Sequence, residues 1–217
     1  MTTRPILLFD VMETLVTEPF RAEMPQFFGM TPAALHEAVH PTAWVEFELG
    51  EIEETEFLRR FFADGSTVDG EGLRRRVQSA YRWIAGMETL LGELDHLEYE
   101  IYAFSNYPSW YRLIEDSLSL SRFGEWRFVS CHTGIRKPDP EAYMSAAQSL
   151  GVLPGDCLFV DDRSVNVDAA RKVGMDVILF QDARRLRSEM IRRGLLSRIM
   201  HGENGIYSVW CEARKAE

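Results

Sequence analysis

Five short apolar runs in this chain show little polar alternation, and each ends at polar or charged residues. They are Ile6–Phe9, Ile101–Phe104, Trp126–Val129, Cys157–Val160 and Val177–Phe180. A strand with one wet face alternates, whereas a strand covered on both faces does not. Such runs predict a parallel sheet between layers of helix, and the intervening segments carry the helical period. Ser109 is placed to cap a helix with Trp110, Leu113, Ile114 and Leu118 on one face. Asp139-Pro140 reads as the cap and first turn of a helix that turns Tyr143, Ala146, Ala147 and Leu150 inward and ends at Gly151. Ser164 is placed to cap Val165–Val173, which Gly174 stops. The alternation predicts an α/β fold with a doubly wound, mainly parallel sheet.

One interval breaks the alternation. Residues 19–86 show no strand pattern, and helical patterns occupy Pro32–Val39, Pro41–Leu49, Glu53–Phe62 and Gly70–Ile84. The reading is a helical insertion (19–86) in a core made of 1–18 and 87–200. A tail (201–217) is left without a role, although its IYSVW stretch has the composition of an edge strand or an oligomer contact. Glu46–Glu56 carries six acids and no base, and reads as a solvated helix face and turn.

Charge and cysteine usage narrow the function. Twenty-four basic residues against 34 acidic ones leave a net charge of -10. That argues against nucleic acid or an anionic membrane as partner, since both need a basic face. The cysteines, Cys131, Cys157 and Cys211, are too far apart for a disulfide framework or a structural zinc site. Cys131 and Cys157 read as core residues at buried strand ends. His36, His40, His96, His132 and His201 lack metal-ligand spacing. No apolar run reaches transmembrane length, and the first strand begins too early to leave room for a leader. The expectation is a cytoplasmic protein, or one in a plastid or other organelle lumen if a transit peptide has been removed.

In open α/β sheets, ligands bind beyond the carboxyl ends of the strands. Asp10 follows the first run and Ser105-Asn106 the second. Gly134–Pro140, with Lys137, follows the third, and Asp161-Asp162-Arg163 the fourth. Carboxylates alone repel a phosphate. With Mg²⁺, a hard cation often held by one or two carboxylates, they attract it. Lysine supplies a compact positive charge, Ser105 a hydrogen bond, and an aspartate in line can attack phosphorus. Arg163 reads as a surface or cap residue. Aromatic residues cluster in the insertion (Phe20, Phe27, Phe28, Trp44, Phe47) and after the second run (Tyr107, Trp110, Tyr111). Most read as core, and Trp44 and Tyr107 are singled out as candidates to line a substrate pocket.

These four segments, in this order, resemble the four motifs of the haloacid dehalogenase (HAD) superfamily. LLFDVMETLV resembles its nucleophile loop, IYAFSN its second motif, GIRKPDPEAY its lysine motif and CLFVDDRSVNVDAARKVGM its acidic motif; the insertion resembles a type-one cap. The resemblance implies that Asp10 is the nucleophile and a metal ligand, and that the Met12 carbonyl and Asp162 are further Mg²⁺ ligands. It makes Asp161 a ligand or its neighbour, Ser105, Asn106 and Lys137 the phosphate-binding set, and Thr14 and Asn166 supporting residues. The implied enzyme is a Mg²⁺-dependent phosphomonoester hydrolase acting on a small phosphorylated metabolite, as monomer or homodimer.

Position 12 departs from that pattern. Typical phosphatases of the superfamily carry a second aspartate there, which protonates the leaving oxygen, and methionine cannot. Three readings stay open: a phosphatase with its acid supplied by Glu13, a cap carboxylate or bound water; a 2-haloacid dehalogenase, a branch that also lacks this aspartate but carries no paired acid; and a weakly catalytic protein that binds a phosphometabolite or partner. A closer resemblance, through LLFDVMETLV, FFGM, HPTAWVEFELG, FSNYPSWY and RKPDPE, is to plant plastid-type flavin mononucleotide hydrolases. It implies flavin mononucleotide (FMN) as the leading substrate and favours the first reading.

Overall fold

Each apolar run forms a strand in the computed structural model, which describes residues 4–21, 23–197, 199–202 and 205–208. The strands are β1 (Ile6–Phe9), β2 (Ile101–Ser105), β3 (Glu125–Val129), β4 (Cys157–Asp161) and β5 (Asp176–Leu179). They make one sheet in the order β3-β2-β1-β4-β5, with every neighbouring pair parallel. β1 and β4 are buried at every position, which is why their sequences do not alternate. The chain leaves β1 toward β2 and β3, then returns to the other side of β1 for β4 and β5. Strand order therefore reverses beside β1, where a doubly wound sheet opens a crevice.

Five helices fill the insertion: α1 (Glu23–Phe28), α2 (Pro32–Ala38), α3 (Ala43–Glu48), α4 (Glu54–Arg59) and α5 (Gly70–Ala80). The remaining helices are α6 (Met87–His96), α7 (Tyr111–Leu118), the single turn α8 (Ser130–Thr133), α9 (Pro140–Leu150), α10 (Ser164–Lys172) and α11 (Ala183–Arg192). Alternate strand residues feed two cores. Leu7, Phe9, Leu158 and Val160 pack with Leu91 and Leu94 of α6, Ile114 of α7 and Met190 of α11. Leu8, Phe104 and Phe159 pack on the opposite face with Tyr143 and Ala146 of α9 and Ala170 of α10.

Several local expectations are corrected. Ser109 caps nothing: α7 begins at Tyr111 after Trp110, without a side-chain cap. Ser164 is the first residue of α10 rather than its cap, and the Arg163 N–H before it donates to Asp161 Oδ1 at 2.8 Å. Cys131 lies in α8 and is half-buried, whereas Cys157 is buried in β4 as expected. Glu48, expected on a solvated face, is only 6% exposed. In the tail, Ile206–Ser208 belongs to β7 (Gly205–Ser208), which pairs antiparallel with β6 (Ile199–Gly202) and does not join the main sheet. Val209, Trp210 and Cys211 lie outside the described residues. The Asp139 cap of α9 forms as expected, with its side chain accepting from the Glu141 N–H at 2.9 Å.

Candidate active site

The carboxyl end of β1 delivers Asp10 to the floor of a cavity of about 670 Å³ lying between the sheet and α1–α4. Ser105 and Asn106 follow β2, Arg136 and Lys137 precede α9, and Asp162 and Arg163 follow β4; all of them line the same cavity. Met12, Glu13 and Glu18 line it from the loop after β1, and Phe20, Trp44, Phe57 and Phe61 from the insertion. The sequence thus brings its predicted residues together, because parallel strands place all their carboxyl ends on one side.

Lys137 is the hub of the floor. Its buried ammonium donates to Asp10 Oδ1 at 2.7 Å, Asp161 Oδ2 at 2.8 Å and the Phe104 carbonyl at 2.5 Å. Burial works against this charge, yet the two carboxylates more than offset it and hold the ammonium above the usual lysine range. The backbone of Lys137 is clamped by one amide. Asn106 Nδ2 donates to the Lys137 carbonyl, and Asn106 Oδ1 accepts from the Lys137 N–H, both at 2.8 Å. Asn106 therefore positions the lysine with both ends of its side chain. Ser105 is buried at the end of β2 and forms no comparable clamp.

The three acids differ in their surroundings. Asp161 is fully buried and accepts from Lys137, from the Arg163 N–H and from Asn166 Nδ2, which reaches both of its oxygens at 3.0 Å. Asp10 gives one oxygen to Lys137, while the other, among the described residues, receives only the Thr14 hydroxyl at 3.4 Å. Asp162 is half-buried, and among the described residues no side chain donates to it. Burial raises the Asp10 carboxyl to about 7, against the pull of Lys137. Burial, then Asp161, raises that of Asp162.

One carboxylate oxygen from each of Asp10, Asp161 and Asp162 falls within 4.8 Å of the others. Among the described residues Lys137 pairs with Asp10 and Asp161, no side chain donates to Asp162, and the second oxygen of Asp10 has only the long Thr14 contact. Such an all-oxygen, net-negative donor set fits a hard divalent cation. Trp44 and Tyr107 both line the cavity, but neither is an idle wall. The Trp44 indole N–H donates to Glu48 Oε1 at 2.5 Å, and the Tyr107 hydroxyl lies 2.6 Å from that of Tyr81. Glu18, Glu48 and Arg136 are cavity residues that the sequence reading did not select.

Fold and site together define an α/β enzyme with an acidic, lysine-braced centre at the switch point of a parallel sheet. The haloacid dehalogenase-like hydrolase family profile matches residues 6–174, and the chain belongs to that family. A relative, the chloroplastic flavin mononucleotide hydrolase 1 of Arabidopsis thaliana, is 48% identical over 191 residues, covering 88% of this chain and 78% of its own. A sesquiterpene phosphatase of Aspergillus oryzae is 30% identical over 144 residues, covering 63% and 71%. The fold recurs in a HAD family enzyme of Bacteroides thetaiotaomicron solved with magnesium and inorganic phosphate, with a TM-score of 0.66 at 18% identity over 83% of this chain and 96% of that one. The chain is a hydrolase of the phosphatase type. Among the described residues no helix is long and apolar enough to cross a membrane.

Proposed function

We propose that the protein hydrolyses small phosphate monoesters, with flavin mononucleotide as substrate, through an aspartyl-phosphate formed on Asp10. The observation that carries this reading is the floor of the cavity, where Asp10 has one oxygen fixed by Lys137 and the other nearly free. The nearly free oxygen is the nucleophile. It forms a bond to phosphorus as the bond from phosphorus to the leaving oxygen breaks, and water then attacks phosphorus and returns the carboxylate. Lys137 keeps Asp10 in place, pulls its carboxyl toward the ionised form and attracts the phosphoryl oxygens, and the Ser105 hydroxyl donates to them.

Asp10, Asp162 and the Met12 carbonyl would hold Mg²⁺, with Asp161 kept in place behind them by Lys137 and Asn166. Bound there, Mg²⁺ supplies neutralisation of phosphoryl charge. Residues 19–86 act as a cap that closes the cavity and excludes bulk water. The side chain at Met12 has no proton to give, and Glu18, whose carboxyl is raised by burial, protonates the leaving oxygen instead and takes a proton back from the attacking water. The name of the chloroplastic relative supports a plastid location over a cytoplasmic one. Every group named comes from one chain, so the reading needs no second copy.

Phosphate release from flavin mononucleotide with added Mg²⁺ tests the proposal. Asp10→Asn is expected to lower kcat by at least about 10⁴-fold. Retention of activity in this variant would remove Asp10 as nucleophile. Metal-independent halide release from a 2-haloacid would establish the dehalogenase reading in its place.

A further inference from the structure

The cavity wall beside Lys137 carries a polar device within largely aromatic surroundings. Glu48, the last residue of α3, is 6% exposed. Its Oε1 is taken by the indole N–H of Trp44 at 2.5 Å, and its Oε2 lies 2.7 Å from Arg136 Nη2. The Ser130 hydroxyl donates to the Glu48 carbonyl at 2.5 Å and fixes the end of the helix. Beyond these contacts, Glu48 Oε2 and Arg136 Nε are buried without a hydrogen-bond partner among the described residues. Burial raises the Glu48 carboxyl to about 7, with Arg136 pulling the other way.

A simple latch between insertion and core would satisfy its own atoms, because buried polar groups left unpaired are costly. Here Arg136 Nε is left without a partner, and Glu48 Oε2 has none beyond Arg136 Nη2, on residues that both line the cavity. A hydroxyl group matches this combination, since its O–H donates to a carboxylate while its oxygen accepts from a guanidinium N–H. Position selects among hydroxyl-bearing groups. Arg136 adjoins Lys137, whose Nζ is 2.7 Å from Asp10 Oδ1. Glu48 and Arg136 line the same cavity as Asp10, and so do Phe20, Phe57 and Phe61 of the insertion.

We propose that Glu48 and Arg136 are the specificity-determining pair for the leaving group, and that they bind the hydroxyl groups of a polyol chain linking phosphate to a flat ring. This rests on the phosphatase reading above. The test compares flavin mononucleotide with a flavin whose phosphate sits on a plain, hydroxyl-free pentyl chain, with p-nitrophenyl phosphate as control. The wild type is expected to prefer flavin mononucleotide by about 10- to 100-fold in kcat/KM, mainly through KM. In Glu48→Gln that preference falls to within about threefold of unity. Should this variant not fold, Arg136→Lys, which keeps the charge but loses Nε–H on a side chain 33% exposed, carries the same expectation.

A wild type without preference overturns the proposal. So does a variant that keeps the preference, or one that loses activity on both flavins equally, which would make the pair a latch. If the wild type releases phosphate from p-nitrophenyl phosphate and does not discriminate, only the polyol subsite falls. Release from none of the three compounds overturns the phosphatase reading and this proposal with it.

Discussion

Residue 12 decides how protons move in this site. Met12 is half-buried at the cavity and carries no ionisable group, while Glu13 and Glu18 flank the same loop. Glu13 Oε1 accepts from the Glu18 N–H at 2.7 Å, and Glu18 Oε1 accepts from the Phe20 N–H at 3.2 Å. Glu18 is thereby held against the wall, and its burial favours the protonated form that a donor needs. Glu18→Gln is expected to lower kcat for flavin mononucleotide by about 10²–10⁴-fold, because an alkoxide leaves poorly without a proton. For p-nitrophenyl phosphate, whose phenolate leaves unaided, the loss should stay under about tenfold. The sign in pH follows: the acid works when protonated, so the wild-type kcat falls on the alkaline side and the variant loses that fall. A loss equal for both substrates would assign Glu18 a purely structural part. Asp10 and the pair Asp161-Asp162 were legible in the sequence because they directly follow apolar runs, whereas Lys137, well past Val129, was legible only through the resemblance of GIRKPDPEAY to a lysine motif. Glu48 was not. It sits among acids that look solvated, and its partner Arg136 lies far along the chain, beyond any local charge pattern.

At the level of elements, the strands were legible to within a residue, since burial on both faces writes itself into the composition of β1 and β4, and the edge strands β3 and β5 keep apolar runs despite exposed positions. Helix ends were less so, because nearby side chains other than the expected cap residues occupy the first N–H groups. α3, expected from Pro41, begins at Ala43 because the His40 ring accepts from the N–H groups of Thr42 at 3.3 Å and Ala43 at 3.2 Å. Likewise Asp161, rather than Ser164, occupies the N–H before α10. The junction between α3 and α8 depends on one position with no apolar signature. Gly50 has φ +71°, and a Cβ there would lie 2.3 Å from the Cys131 carbonyl oxygen. Gly50→Ala thus meets both a left-handed backbone and a backbone clash, and is expected to cost at least about 2 kcal/mol. In a thermal melt that is a fall of about 4–8 °C. Because Glu48 is two residues away, KM for flavin mononucleotide should rise as well. A melt within about 1 °C of the wild type would mean that the α3–α8 contact is dispensable.

For the whole molecule, the net charge of -10 and the three acids at the switch point make the fold sensitive to cations. Without metal, folding must bury Asp10 and Asp162 beside Asp161, with Lys137 the one basic side chain paired to these acids among the described residues, and burial first, then the neighbouring acid, raises the carboxyls of Asp10 and Asp162. For Asp10 the shift runs from 3.8 to about 7. Its contribution to stability is fully present below 3.8 and is lost as pH rises through about 7. A metal-free melt should therefore fall as pH rises over that window. Mg²⁺ at 100 times its Kd adds about 2.7 kcal/mol, a rise of roughly 5–10 °C, and flattens the pH slope by favouring the ionised acids. Asp162→Asn separates this from ordinary structural damage. It removes one of the crowded charges, so the metal-free variant should melt at or above the wild-type temperature, while its rise with Mg²⁺ should shrink to under about a third. A variant that melts lower in both conditions and keeps the full Mg²⁺ shift would place the cation away from these acids. The opposite signs arise because one carboxylate destabilises the empty fold and stabilises the loaded one.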